Sequence, residues 1–278
     1  MNGYAPIFQQ QEWLEFLENY FGKKVMYLKE NNNKLPFLSQ KIAKGLIDAC
    51  VSLPFGAWGH FPIPHNISVK TDIFIIYTTV NINSSYKKSI TTFFLDISQN
   101  EENIWKNFTS RKRNDIRRAQ KVTCKMKKIS GTDAAIMSFE LYRKTVATWK
   151  NPRIVYDKRY FELLFKHLGE KAFLYLADYK EGKAGIIILR GENILHYYFA
   201  FGDRNVYKYN PHSLLLWKIC SQSWGKFKYI DLGPSHGNIY LEKFKMGFKP
   251  IKKDIFCYYI PVTFKGKLYL FFKKIRRN

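Results

Sequence analysis

A chain of 278 residues is long enough for one large domain or two small ones, each with its own core. Hydrophobic residues make up 46% and aromatics 17% of it, which argues against a disordered polypeptide. The formal net charge of +24 and the pI near 9.8 favour polyanionic partners such as RNA, a nucleotide-linked sugar, coenzyme A or anionic lipid. A chain rich in Lys and Asn through genome composition would carry the same excess.

In chain order, the N-terminus reaches Glu12 and Glu15 with no long apolar core, so no signal peptide is expected. Trp13, Phe16, Leu17 and Tyr20 stand at i, i+3, i+4 and i+7, predicting an amphipathic helix over Gln9–Phe21 that ends at Gly22. Strand-like runs follow at Val25–Leu28, Gly45–Leu53, Asp72–Val80 and Ile90–Ile97, with Asn31–Asn33 and Asn81–Ser85 as turns. From Asn103 to Lys121, Trp105, Phe108, the alkyl stem of Lys112, Ile116 and Ala119 keep helical spacing. On the same stretch Arg113, Arg117 and Lys121 form a basic stripe at i, i+4 and i+8. Like charges so spaced disfavour a helix by a few tenths of a kcal/mol per pair. A bound anion would offset this; a solvated basic face is the other reading.

Helices are expected at Asp133–Lys150 and Lys158–Leu168, the second with Asp157 as N-cap, a staple from Tyr156 to Phe161 and Gly169 past its end. Ala172–Asp178, Gly185–Arg190 and Ile194–Phe201 read as strands. Asn210 is a candidate cap and Pro211 the first residue of a helix ending before Gly225. Tyr229–Leu232 is a short strand broken by Gly233-Pro234, and a short helix then carries Phe244-Lys245. Phe264–Arg276 mixes Phe, Leu and Tyr with Lys and Arg, as the end of a strand or as a basic aromatic edge suited to headgroups. The four cysteines, Cys50, Cys124, Cys220 and Cys257, match no zinc or dithiol spacing, which points to a reduced, intracellular protein. No run approaches the roughly 18 apolar residues of a spanning helix, so any membrane contact is expected to be peripheral.

Two ordered motifs carry a family resemblance. Arg113-Asn114-Asp115-Ile116-Arg117-Arg118-Ala119 fits R-x-x-I-R-(K/R)-A, and the strand closed by Asp231 is followed by Phe244-Lys245-Met246-Gly247-Phe248. Together they resemble the C-terminal GNAT-like domain of the Fem-type peptidoglycan-bridge aminoacyltransferases and the FemAB-like acyltransferases. Leu53-Pro54-Phe55-Gly56-Ala57-Trp58-Gly59 resembles their S-L-P-F-x-x-Y-G-G segment, with Trp58 and His60 where Tyr and the second Gly would stand. A loop of this kind lines a substrate cleft or forms a buried crossover. The resemblance implies a mixed α/β (α+β) chain of GNAT-like acyltransferase fold. Residues 103–278 would be the C-terminal GNAT domain and residues 1–102 a smaller, sheet-rich, diverged GNAT-like half.

The chain shows no P-loop or dinucleotide loop and no metal-ligand spacing, so hydrolase and dehydrogenase readings lose support. Its histidines, including His196 and His236, read as structural or surface residues. Gly202–Asn210 lacks the Gly-rich coenzyme A turn, although helix amides after Pro211 suit a phosphate. The reaction implied by the resemblance is attack of an amine on an activated carbonyl. The amine must lose a proton, and the carbonyl oxygen gains negative charge.

By resemblance, Phe244 and Lys245 steady that charge, with Lys243 a poorer match. Asp231 orients the acceptor amine or caps the turn after its strand. Arg113 and Arg117 hold phosphates, and Tyr209 and Trp58 complete the substrate-binding candidates. No metal is expected. The implied donor is aminoacyl-tRNA or acyl-coenzyme A, and the acceptor an amine on a phosphate-bearing or lipid-linked glycan precursor of the cell envelope. The protein is expected in the cytoplasm, with contact at the inner face of the membrane. Two other readings stay open: a coenzyme A-dependent N-acetyltransferase acting on a sugar or small amine, and a catalytically silent RNA-binding module on the same scaffold.

Overall fold

In the computed structural model, which describes residues 6–30, 33–54, 57–60, 63–64 and 67–275, short β-branched runs form strands and 3.6-periodic runs form helices. The chain divides into two compact units, one built mainly from Thr92–Lys253 and the other from Phe8–Thr91 with Asp254 onward. A cut at residue 102 treats the chain as two consecutive pieces. Compactness instead returns the C-terminal segment to the N-terminal one, because strand Ile251–Pro261 pairs with strand Ile73–Thr78.

In the unit of Phe8–Thr91 and Asp254 onward, helix α1 (Gln11–Phe21) buries Trp13, Leu14, Phe16 and Leu17. Gly22 ends it in the left-handed conformation, donating its amide to Glu18. The strands run in the order β1 (Met26–Glu30), β2 (Asn33–Ile42), β3 (Ile47–Val51), β4 (Ile73–Thr78) and β11 (Ile251–Pro261). The β3–β4 pair is parallel and the others antiparallel. Sequence reading missed β2, where Pro36 interrupts the strand signal. The turn expected at Asn31–Asn33 falls largely outside the described residues. Helix α8 (Phe264–Ile275) buries Leu270 against Ile47, Ala49, Val51, Ile73 and Ile75. This corrects the strand-end reading of Phe264–Arg276.

The other unit has strand order β5 (Lys87–Asp96), β10 (Tyr229–Asp231), β9 (Ile194–Gly202), β8 (Gly182–Arg190), β7 (Ala172–Tyr179) and β6 (Lys125–Ile129). The β6–β9 strands form an antiparallel meander, whereas β9 and β10 are parallel. Helix α6 (Pro211–Ser223) covers one face, with Leu215, Leu216 and Ile219 packed in a core that includes Ile186, Ile188, Leu195 and Ile230. Helices α4 (Gly131–Ala147) and α5 (Lys158–Leu168) pack with Phe199 and Phe201 of β9 through Tyr142 and Phe161. Asp157 caps α5 as expected, accepting from the Tyr160 amide at 2.8 Å. Tyr156 is in ring contact with Tyr160 and Phe199.

The basic stretch expected as one helix is two: α2 (Glu101–Asn107) and α3 (Ser110–Gln120), separated by extended Phe108 and Thr109. Thr109 Oγ1 accepts from the Lys112 amide at 3.2 Å and caps α3. The Thr109 amide donates to the Gly247 carbonyl, which ties the break to the short helix α7 (Ile239–Met246).

Candidate active site

Strand β10 is three residues long, and its pairing with β9 stops at Asp231 and His196, while β9 runs on to Gly202. At that point the chain leaves the sheet through Leu232, Gly233 and Pro234. Asp231 is 4% exposed, and its Oδ1 accepts from Thr92 Oγ1 at 2.6 Å and from the Gly233 amide at 2.9 Å. Its Oδ2 lies 3.3 Å from His196 Nδ1. Burial would raise this carboxyl, but the hydrogen bond and charge of His196, with Thr92 and the Gly233 amide, hold it below the ordinary carboxylate value. Of the two roles open for Asp231, the bond to Gly233 is the turn cap.

Lys245 closes the same turn from α7. It is 2% exposed, and its ammonium donates to the carbonyls of Gly233 at 2.8 Å and Pro234 at 2.9 Å. Phe93 lies with its ring centroid 5.5 Å from the charge. Burial brings the Lys245 amine down to about 8, against the opposing charges of Asp231 and Glu242. An ammonium has three donors, so two carbonyls leave one N–H for a ligand. Ser235, next in the turn, is buried, and among the described residues its hydroxyl has no hydrogen-bond partner. A bound polar group would remove that desolvation cost. Lys243, the poorer match, is exposed.

Phe244 and Lys245 are neighbours on a helix, so their side chains diverge by about 100°. Phe244 faces a second buried cation. Lys112 Nζ lies 4.3 Å from the Phe244 ring centroid and 4.7 Å from that of Phe248, and donates to Ser213 Oγ at 2.9 Å. Burial brings this amine to about 8 as well, with Asp115 opposing and Arg111 adding to the shift. A Cβ on Gly247 would stand 2.6 Å from Lys112 Cε, so glycine there leaves room for the lysine stem. Sequence reasoning credited Lys112 with an apolar stem and missed its buried charge.

The remaining candidates are dispersed. Arg113 is half-buried and donates to the carbonyls of Lys106 and Phe108, closing the end of α2. Arg117 is exposed, 5.5 Å from the Trp105 ring centroid and bonded to Asn114 at 3.2 Å. Tyr209 donates to Glu181 at 2.9 Å and stacks on Tyr179. Trp58 belongs to the other compact unit and is 3% exposed, and the Phe55-Gly56 part of its motif lies outside the described residues. Asn210 is left-handed and makes no side-chain cap; Pro211 opens α6 as expected. His212 Nε2 donates to the Phe201 carbonyl at 2.8 Å, and burial pushes its ring below the ordinary histidine value. No group of His, Cys, Asp and Glu suited to a metal occurs among the described residues.

Thr92, Ser213 and Ser235 are the polar residues around Asp231 and these two lysines that sequence reading passed over, whereas His196, read as structural or surface, is buried against Asp231. Only the Gly-Pro-Ser turn offered a local signal for any of them, at Ser235.

Residues 110–246, which span the strand closed by Asp231 and the helix that carries Lys245, match the acetyltransferase (GNAT) domain family. Among solved structures, FemX is similar with a TM-score of 0.71 at 12% identity, over 97% of this chain and 95% of that one. A conserved protein of unknown function from Bacteroides thetaiotaomicron has a TM-score of 0.62 at 10% identity, covering 90% of this chain and 89% of its own. L-PGS from Bacillus licheniformis has a TM-score of 0.51 at 12% identity, with 93% of each chain covered. No curated protein gives a sequence match. The chain therefore carries a GNAT-type domain and has the FemX-like mixed α/β fold, which bears out the resemblance at the level of fold.

Proposed function

We propose that this protein is an N-acyltransferase of the Fem type. It transfers an acyl or aminoacyl group from an activated donor to an amine of a cell-envelope or polysaccharide precursor, in the cytoplasm. One observation carries this reading: Asp231 at the end of its strand and Lys245 on the following short helix both bind the Gly233-Pro234 turn between them. We assign the chemistry to residues 103–278 and treat residues 1–102 as the diverged half.

In the reaction, the acceptor nitrogen forms a bond to the donor carbonyl carbon as its proton departs. The carbonyl oxygen becomes an oxyanion, to which Lys245 gives its remaining N–H. Collapse expels the ribose oxygen of tRNA or the thiolate of coenzyme A, which takes up the proton. Asp231 acts as a positioning residue, holding the turn whose carbonyls aim Lys245. Phe244 supports the adjacent helix face through Lys112, and Arg113, Arg117 and Tyr209 serve substrate binding.

The donor is tested by heating the protein with tRNA or with acetyl-coenzyme A, since a ligand of the native state alone raises the midpoint by mass action. Stabilisation by tRNA at concentrations where coenzyme A has no effect supports the aminoacyl reading, and the reverse result supports the acetyltransferase. No stabilisation by either, with no transfer to any amine acceptor, overturns both.

One feature favours the RNA-binding alternative. A cavity of about 720 Å³ at the C-terminal end of α6 is lined by Lys128, Arg190 and Lys226 together with Phe173, Tyr175 and Phe227. Lys128 Nζ lies 3.6 Å from the Phe173 ring centroid, and the Arg190 guanidinium 5.4 Å from that of Phe227. Cations beside aromatic faces suit single-stranded nucleic acid. RNA binding lost on Lys128→Ala, with no transferase activity under any donor, would select that reading.

A further inference from the structure

Helix α8 (Phe264–Ile275) is fixed along one side and bare along the other. On the fixed side Leu270 is in the core, and a Cβ on Gly266 would lie 2.1 Å from the Asp72 carbonyl oxygen. Thr263 Oγ1 donates to Asp72 at 2.7 Å just before the helix, and Lys265 pairs with the same carboxylate at 3.3 Å. The helix backbone therefore sits directly on the end of β4, and its orientation is set.

On the other side stand Phe264, Leu268, Phe271, Phe272 and Ile275, each between 45% and 79% exposed. At 3.6 residues per turn these five fall within an arc of roughly 100°. They form one apolar stripe along the whole length of α8. Lys265 borders it on one edge and Lys267 and Lys274 on the other, and α8 contains no acidic residue. Soluble surfaces seldom display so continuous a patch without an occupant.

Beside the helix, a cavity of about 240 Å³ is lined by Lys87, Lys88, Lys273 and Lys274 with Ser85, Tyr86 and Tyr259. Lys273 Nζ lies 4.6 Å from the Tyr259 ring centroid. Four lysines around a small recess add positive charge beside the helix, and Lys274 belongs both to this recess and to the border of the stripe. Lys274 thus links the border of the stripe to the recess.

We propose that α8 is the membrane-docking element of this protein. Its Phe and Leu side chains enter the acyl boundary of an anionic bilayer while Lys267 and Lys274 along its edge meet lipid phosphates. Charge decides against a second copy as the occupant, since two such helices face to face would set lysine borders against lysine borders. The inference does not depend on acyl transfer, because docking needs neither donor nor acceptor.

The test is flotation of the full chain with vesicles of phosphatidylcholine, with and without phosphatidylglycerol. We expect binding to vesicles containing phosphatidylglycerol at least about tenfold stronger than to phosphatidylcholine alone. Phe271→Ser with Phe272→Ser should abolish it while circular dichroism stays native, because both side chains are exposed. Lys267→Ala with Lys274→Ala should weaken it by roughly tenfold or more. Absence of vesicle binding, or equal binding by the phenylalanine variant, overturns the proposal. So does dimerisation in sedimentation equilibrium that the phenylalanine variant abolishes without any binding to vesicles, which would make a second copy the occupant.

Discussion

Lys112 and Lys245 are both buried lysines brought to about 8, yet their surroundings differ in kind. Lys112 meets two aromatic faces and one hydroxyl, joining α3 to α6 and α7 as a wedge. Lys245 meets two carbonyls of the turn that follows a strand-end carboxylate, and the buried Ser235 hydroxyl in that turn has no hydrogen-bond partner among the described residues. Equal burial and equal basicity therefore do not make equal roles. What separates them is the kind of partner, since Lys245 is held by main-chain carbonyls beside a carboxylate and Lys112 by two rings and a hydroxyl.

The largest expected effect breaks this comparison if it fails. Lys245→Ala should lower kcat by about 10² to 10³ with little change in KM, since the contact is made chiefly in the transition state. Lys245→Arg should recover only part, its planar guanidinium being larger than an ammonium. Lys112→Met, measured in the same assay, should keep turnover within about tenfold. Near-normal kcat in a folded Lys245→Ala protein would make Lys245 a second wedge.

Next in size is Asp231→Asn, expected to destabilise the fold by about 3 kcal/mol at pH 7, because it leaves His196, Thr92 and the Gly233 amide around a neutral group. The Asp231 carboxyl is held below its ordinary value of 3.8, so the stability it contributes is present above that pH and is lost as pH falls through the lower native value. Denaturant titration should show the gap between wild type and variant closing in acid. A gap constant down to pH 2 would remove Asp231 from the charge network.

Lys112→Met sharpens the contrast because burial disfavours the charge of Lys112, whereas the partners of Asp231 favour its charge. With a native value near 8 against an ordinary 10.5, the burial penalty of Lys112 is fully present below pH 8 and disappears as pH rises to 10.5. Wild type should therefore gain up to about 3 kcal/mol relative to Lys112→Met over that window. The buried tyrosines, common to both proteins, cancel in the difference. A pH-independent difference would show that Lys112 stays charged with no penalty.

Smallest is Arg117→Ala. Arg117 is exposed, and its contacts are Trp105 and Asn114, so stability should change by less than about 1 kcal/mol. If α3 meets phosphates, the slope of log affinity for tRNA against log salt should fall by about 1. An unchanged slope would confine α3 to packing.

The sequence by itself determined the local parts: α1 with its Gly22 stop, the Asp157 cap, Pro211 opening α6, and the two motifs that place Asp231 and Lys245 in order. These depend on neighbours within a turn or two, so periodicity and capping chemistry suffice to read them. Thr109-Ser110 was a readable cap as well, hidden by basic residues that continued the helical spacing. Only the tertiary structure decided that Asp231 faces His196 and Thr92, that Lys112 carries a buried charge, that Trp58 is buried in the other unit, and that Phe264–Ile275 is a helix with a bare apolar side. Each of these rests on strand pairing or packing between residues distant in sequence. A side chain's type fixes what bonds it can make, but its burial and partners are properties of the whole fold.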